Sequence, residues 1–226
     1  MILLLLIKVL PLAALLVNHL AVLLGVLLVL PLAVLRDGSE SKQSNENKNT
    51  LKTIGLAVFK QDKLVGYLSP VQTLAHLIIT NELDNSTVAI PSPFEKKQNI
   101  DLYVTPRWNT KIKIDLIDNK PVINVDVHLS AKISSISGSH KFLNEENIKI
   151  VENAANKYIE QISLDYFNIT TKKYKTDIAG LGKHLVNKFL TWDDWSNFNW
   201  LDSYQYSSYN VNVNTTITSS YLLLET

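Results

Sequence analysis

Val122-Ile-Asn-Val-Asp-Val-His-Leu-Ser-Ala-Lys-Ile-Ser134 alternates without a break. Ile123, Val125, Val127, Leu129, Ala131 and Ile133 fall on one parity, and Asn124, Asp126, His128, Ser130, Lys132 and Ser134 on the other. A period of two places the apolar set on one face of a strand, so that face packs on a core and the other meets solvent or a partner. Just upstream, Ile112, Ile114 and Leu116 alternate with Lys111, Lys113 and Asp115, and Asp118-Asn119-Lys120 joins the two runs. Far downstream, Tyr209, Val211, Val213, Thr215 and Ile217 alternate with Asn210, Asn212, Asn214, Thr216 and Thr218, which reads as a closing strand.

Around these strands the pattern changes. Residues 54–60 and 64–68 flank Gln61-Asp62-Lys63 and read as a short hairpin. Ser69-Pro70 supplies a cap and a proline at the first helical position, and Leu74, Leu77 and Ile78 follow at helical spacing, which predicts a helix over 70–80. Residues 87–90 read as a strand, while Pro91, Pro93, Lys96-Lys97 and Pro106 leave 91–108 without an assignment. Asn144 caps a helix over 145–167 whose first turn carries Glu145 and Glu146 and whose stripe is Ile148, Val151, Ala155, Tyr158, Ile159, Ile162 and Tyr166. A second helix is expected over 179–190. Strands and helices do not alternate regularly, so the fold class is α+β: a largely antiparallel mixed sheet packed with a long helix and two shorter ones.

The 226 residues are 46% apolar and 19% charged, with a net charge of +1 and no cysteine. Two populations make up those totals. Residues 1–35 hold 29 Ala, Val, Ile, Leu and Met and one charge, Lys8; residues 51–226 carry 18 basic and 18 acidic side chains. A neutral domain without a basic stripe argues against nucleic acid. The missing cysteine excludes disulfides, thiolate metal sites, cysteine nucleophiles and lipid attached to cysteine.

Residues 9–35 are 27 in number, about 40 Å of helix. One tilted membrane span is the expectation, and a hairpin turning at Asn18-His19 is the alternative. The run is too long for a secretory signal and ends without a small-x-small site, so residues 1–35 read as an uncleaved membrane anchor in a lipid bilayer. Residues 36–50 contain no apolar side chain and read as a disordered polar linker, with the domain over 51–226. Arg36, Lys42, Lys48 and Lys52 follow the run while Lys8 precedes it, a distribution that by itself keeps the domain on the cytoplasmic side.

Signs of chemistry are weak. His19, His76, His128, His140 and His184 show no metal-ligand spacing. His128 and Asp126 share a strand face, which fits an acid–base pair less well than a solvated polar face. Gly180-Leu-Gly182 lacks the further residues of a phosphate-cradling loop, and Asp193-Asp194 are adjacent where glycoside chemistry needs carboxylates from separate elements. No catalytic residue, metal or cofactor is expected.

Gly55-Leu-Ala-Val-Phe-Lys-Gln-Asp-Lys-Leu-Val-Gly66 resembles the segment opening the C-terminal domain of the Ger(x)C spore germination proteins, the C subunits of nutrient germinant receptors. Asp177-Ile-Ala-Gly-Leu-Gly182, the tryptophan-rich stretch from Trp192 to Trp200 and the closing strand follow in the family's order. The resemblance covers residues 51–226. It implies a non-catalytic subunit at the spore inner membrane, with its domain on the outer face, assembled with A and B membrane subunits. Family members carry a lipobox cysteine and further N-terminal domains, which this sequence does not contain. The exit Leu-Pro-Leu-Ala-Val-Leu-Arg-Asp-Gly-Ser39 resembles the last membrane helix of the A subunits, which leaves a fused or truncated gene product open beside a small-molecule, nutrient-binding module. The motif residues Gly55, Phe59, Asp62, Gly66, Asp177, Gly180 and Gly182 are expected to be structural, with Gly55, Gly66, Asp177, Gly180 and Gly182 shaping turns and corners; Gly66→Val is expected to destabilise the domain if Gly66 needs a positive φ. Asn124, Asp126, His128, Trp192, Trp195 and Trp200 are the candidate contact residues.

Overall fold

The computed structural model describes residues 29–35, 51–60, 62–136 and 144–220. Its longest feature is the hairpin expected from alternation. β5 (Asn99–Ile117) and β6 (Lys120–Ile136) pair antiparallel across Asp118 and Asn119, both with positive φ (50° and 59°). Two left-handed central residues are the turn whose twist matches that of paired strands, and Asp and Asn tolerate it best after glycine. β4 (Ser86–Pro91) pairs antiparallel with β5, and β7 (Ser208–Ser220) pairs parallel with β6, giving a four-stranded sheet ordered β4-β5-β6-β7. The closing strand is therefore not hairpin-connected: helices intervene between β6 and β7, as a parallel pair requires.

β5 reaches back to Asn99, into the stretch that the prolines obscured. Its register shifts on either side of Trp108, between Pro106 and Lys111. Pro106 has no N–H to give the ladder, so a bulge there is the expected response.

A smaller sheet is ordered β1-β2-β3, from Val29–Leu35, Leu51–Lys60 and Lys63–Leu68. β1 revises the expected boundaries: the last seven residues of the hydrophobic run are extended and pair with β2 instead of continuing a helical span. Residues 36–50 join two paired strands and lie outside the described residues, as do residues 1–28. No helix among the described residues is long and apolar enough to cross a membrane.

α1 (Pro70–Thr80) starts at Ser69, whose Oγ accepts from the Gln72 amide while the Ser69 amide donates to Gln72 Oε1. α2 (Glu145–Asn168) begins with Asn144 accepting from the Asn147 amide at 2.7 Å. Its buried residues Val151, Ala155, Ile159, Ile162, Tyr166 and Phe167 share one hydrophobic cluster with the odd-numbered side chains of β6, all buried from Ile123 to Ile133. The helix also runs along the free edge of β7, where Asn156 and Glu152 accept from the amides of Thr215 (2.7 Å) and Ile217 (2.8 Å). Those bonds satisfy edge amides that would otherwise recruit a further strand. A six-residue π-helical turn (Ile169–Tyr174) ends the helix. The second helix expected over 179–190 shrinks to α3 (Lys183–Val186), followed by α4 (Trp192–Phe198) and α5 (Trp200–Tyr204).

Candidate interaction surface

The corner after the π turn is built on one carboxylate. Asp177 is buried, and its two oxygens accept from the amides of Leu181 (2.9 Å) and Gly182 (2.8 Å) and from the indole Nε1 of Trp200 (2.8 Å). Burial pushes its carboxyl above the ordinary value, while those three donors pull it back. The amides that a phosphate loop would present are thus already occupied from inside. Gly180 takes φ +64°, a left-handed turn suited to glycine. Gly182 is needed for space: a Cβ there would stand 2.8 Å from the Trp200 ring.

The hairpin glycines work the same way. Any Cβ on Gly55 would collide with the Leu68 carbonyl oxygen, and any on Gly66 with the Tyr174 ring. Gly66 is not in a positive-φ conformation, which corrects the expected reason for it. The Tyr174 hydroxyl donates to the Tyr67 carbonyl at 2.6 Å, so the ring lies flush on the strand where Gly66 has no side chain. Phe59 is half-buried in β2, and Asp62 is exposed at the β2–β3 turn.

The three candidate tryptophans part company. Trp200 is buried and stacks near Trp195 and Tyr204; Trp195 is half-buried among Phe189 and Phe198. Trp192 is exposed, as is its neighbour Leu190. Asp193 and Asp194 form the first turn of α4, with the Thr191 hydroxyl accepting from the Asp194 amide (3.1 Å), so the cap is a threonine and the carboxylates face the helix dipole.

The even-numbered face of β6 stays open. Asn124, Asp126, His128 and Ser130 are half-exposed, and β7 extends the same face with exposed Asn210, Asn212 and Asn214. A cross-strand ladder orders it: Asn210 Nδ2 donates to Asn124 Oδ1 (3.0 Å) and Asn212 Nδ2 to Asp126 Oδ1 (3.2 Å). At its edge Lys188 and Lys113 reach Asp115 at 3.0 and 3.2 Å; these bonds, Lys188 first, hold its carboxyl below the usual range. His128 stands beside Trp108 on β5, ring centroids 5.1 Å apart and edge-on. Trp108 is 56% exposed, with the Arg107 guanidinium 4.6 Å above its ring and Arg107 also donating to Thr216 Oγ1 at 3.1 Å. Trp108 and Arg107 escaped the sequence reading because they lie in the unassigned proline-rich stretch. The signal was Pro106, whose bulge aims the indole outward.

Beside Trp108 lies a cleft of about 150 Å³, lined by Ile78, Asn81, Leu83, Pro106, Trp108, Asn109, Thr110 and Leu129. Two of its polar residues are spent on each other and on the helix end: Asn81 exchanges bonds with the Thr110 backbone (2.6 and 3.3 Å), and the Thr110 hydroxyl donates to the Ile78 carbonyl. Among the described residues no group of three or more His, Asp or Glu is placed to hold a metal ion.

A mixed sheet with a long helix packed over one face and a half-exposed polar ladder on the other makes this an α+β domain. Residues 54–221 match the family described as "Spore germination B3/ GerAC like, C-terminal", and the chain belongs to that family. It is similar to "Spore germination protein GerQC" of Bacillus cereus, 24% identical over 180 residues, which cover 76% of this chain and 46% of the relative. The chain thus spans about half the length of that curated relative. The fold is similar to the crystal structure of the GerBC protein, with a TM-score of 0.67 and 16% identity over 89% of this chain and 59% of that one.

Proposed function

We propose that this chain is a non-catalytic, membrane-anchored subunit of a spore nutrient germinant receptor, and that the open face of its large sheet docks on the A and B membrane subunits. Family membership supports the spore germination setting. The observation that carries the docking reading is Trp108: a large aromatic, 56% exposed and braced by Arg107 and His128, at the margin of an ordered polar ladder. Rigid aromatic and arginine anchors within a polar surround are the usual composition of binding hot spots. Residues 1–28, rich in Leu and Val, supply the anchor, and the domain lies on the outer face of the spore inner membrane.

The nutrient-binding alternative draws less support from the surface. A ligand cleft offers convergent unsatisfied polar groups to its guest, whereas Asn81 and Thr110 satisfy one another. Co-purification of the tagged full chain with A- and B-type subunits from spore membranes tests the reading. Trp108→Ala is expected to cut their recovery by about 30-fold, the effect of a 2 kcal/mol hot spot. Unchanged recovery removes the sheet face from the interface.

A further inference from the structure

The pairing of β1 with β2 decides where the hydrophobic run meets the domain. Val29 lies opposite Val58, and Leu35 opposite Leu51. Residues 1–28 therefore arrive at the same end of the small sheet as the β2–β3 turn. Lys60 and Lys63 stand exposed at that end, on either side of exposed Asp62.

β3 is an edge strand of this sheet, and the side chains that follow the turn are apolar and open: Leu64 is 46% exposed and Val65 36%. Successive strand residues point to opposite faces, so the tip is apolar on both sides. The other end of the hairpin is tied down, with Leu68 buried and the Tyr67 carbonyl held by Tyr174. What projects is a small wedge of two lysines, Asp62 and two aliphatic side chains, next to the point where residues 1–28, a strongly apolar run with a single charged side chain, Lys8, join the domain.

We propose that this tip, made by Lys60, Lys63, Leu64 and Val65, rests in the headgroup layer of an anionic lipid bilayer, beside the inserted residues 1–28. The inference rests on the proposed anchor and adds a second point of contact to it. Lysines flanking an apolar wedge match the chemistry of such a layer: the ammonium groups meet phosphates while Leu64 and Val65 reach the acyl boundary. Two contacts orient the domain where one leaves it free to tumble. The same pairing bears on topology. Arg36 and the linker that carries Lys42 and Lys48 join the far end of β1, about 20 Å away along the strand at ~3.3 Å per residue. The linker thus begins and ends at the end of the small sheet away from Val29, and β1 separates its cations from residues 1–28 along the chain, which weakens the positive-inside argument drawn from them.

The chain has no cysteine, so a single introduced thiol reports on one place. Full-length Leu64→Cys and Asn212→Cys chains, each carrying an environment-sensitive fluorophore, are reconstituted in phosphatidylcholine vesicles with and without phosphatidylglycerol. With the anionic lipid, the Leu64→Cys probe is expected to be quenched by a headgroup-level lipid quencher and shielded from iodide, while the Asn212→Cys probe stays open to iodide. Omitting phosphatidylglycerol, or adding Lys60→Gln with Lys63→Gln, is expected to lower the docked-to-free ratio of the tip by about 30-fold, at ~1 kcal/mol per lysine. Equal iodide quenching at both positions, in chains that float with the vesicles, overturns the tip contact and leaves the anchor standing. Chains that fail to float overturn the anchor and the contact with it.

Discussion

Trp200 and Trp108 face opposite fates within one domain. Trp200 stands in a tryptophan-rich segment that looks like a contact surface, yet it is buried, its indole held by Asp177. Trp108 stands alone among charged and polar residues and is 56% exposed. Aromatic density alone does not tell a surface from a core. What separates them is backbone: Asp177 folds the corner back over one ring, and the bulge after Pro106 turns the other ring away from the sheet.

The comparison breaks most sharply at Asp177. Asp177→Ala strands two amides and one indole N–H in a buried corner, and loss of a buried charged acceptor is expected to cost about 3–5 kcal/mol. At roughly 2–4 °C per kcal/mol for a chain of this size, the melting temperature should drop by about 6–20 °C. A shift under about 2 °C would mean that Trp200 needs no such tether. Gly66→Val comes next. Its methyls meet the Tyr174 ring, and overpacking of this kind costs about 1–3 kcal/mol. Pairing it with Tyr174→Ala should restore part of the loss, because the clash is with that ring and not with a strained φ. A double variant no better than the sum of the two singles would refute the steric reason.

A third perturbation lies where α1 packs on α2. His76 on α1 is buried and shares a hydrogen bond with the Tyr166 hydroxyl at 2.9 Å. Burial lowers its pKa from 6.5 to about 4, so the folded chain keeps it neutral where the unfolded chain takes a proton. Stability is then complete above pH 6.5 and falls as pH drops from 6.5 toward 4, by about 2 kcal/mol between neutrality and pH 5. Urea melts at pH 7 and pH 5 measure this. His76→Gln, which keeps a hydrogen-bonding group but does not titrate, should remove most of that difference. An unchanged difference would place the titration elsewhere.

How much of this was legible varies with the range of the interaction. Period-two alternation located β6 and β7, and the caps at Ser69 and Asn144 located α1 and α2, because those signals are carried by neighbours in sequence. The parallel pairing of β7 and the shortening of the 179–190 helix were not legible, since each depends on contacts made dozens of residues away. β1 was hidden for a different reason: an unbroken apolar run reads equally as a span or as a sheet strand, and the pairing with β2 decides for its last seven residues. In the candidate site, Asn124, Asp126 and His128 were visible by parity. Trp108 was not, because a bulge suspends parity exactly where that residue sits.

The smallest expected effect is the one that separates a surface from a core. Trp108→Ala removes an exposed ring whose contacts are His128, Arg107 and the rim of a shallow cleft. Asn212→Ala removes one exposed rung of the ladder. Neither leaves a buried group unpaired, so each should change stability by no more than about 0.5 kcal/mol, against several for Asp177→Ala. If Trp108→Ala instead melts the domain, the ring braces the β5 bulge and the open face loses its anchor. If it leaves melting untouched while recovery of the membrane subunits collapses, the two tryptophans are separated as the backbone separates them: one consumed by folding, the other left for a partner.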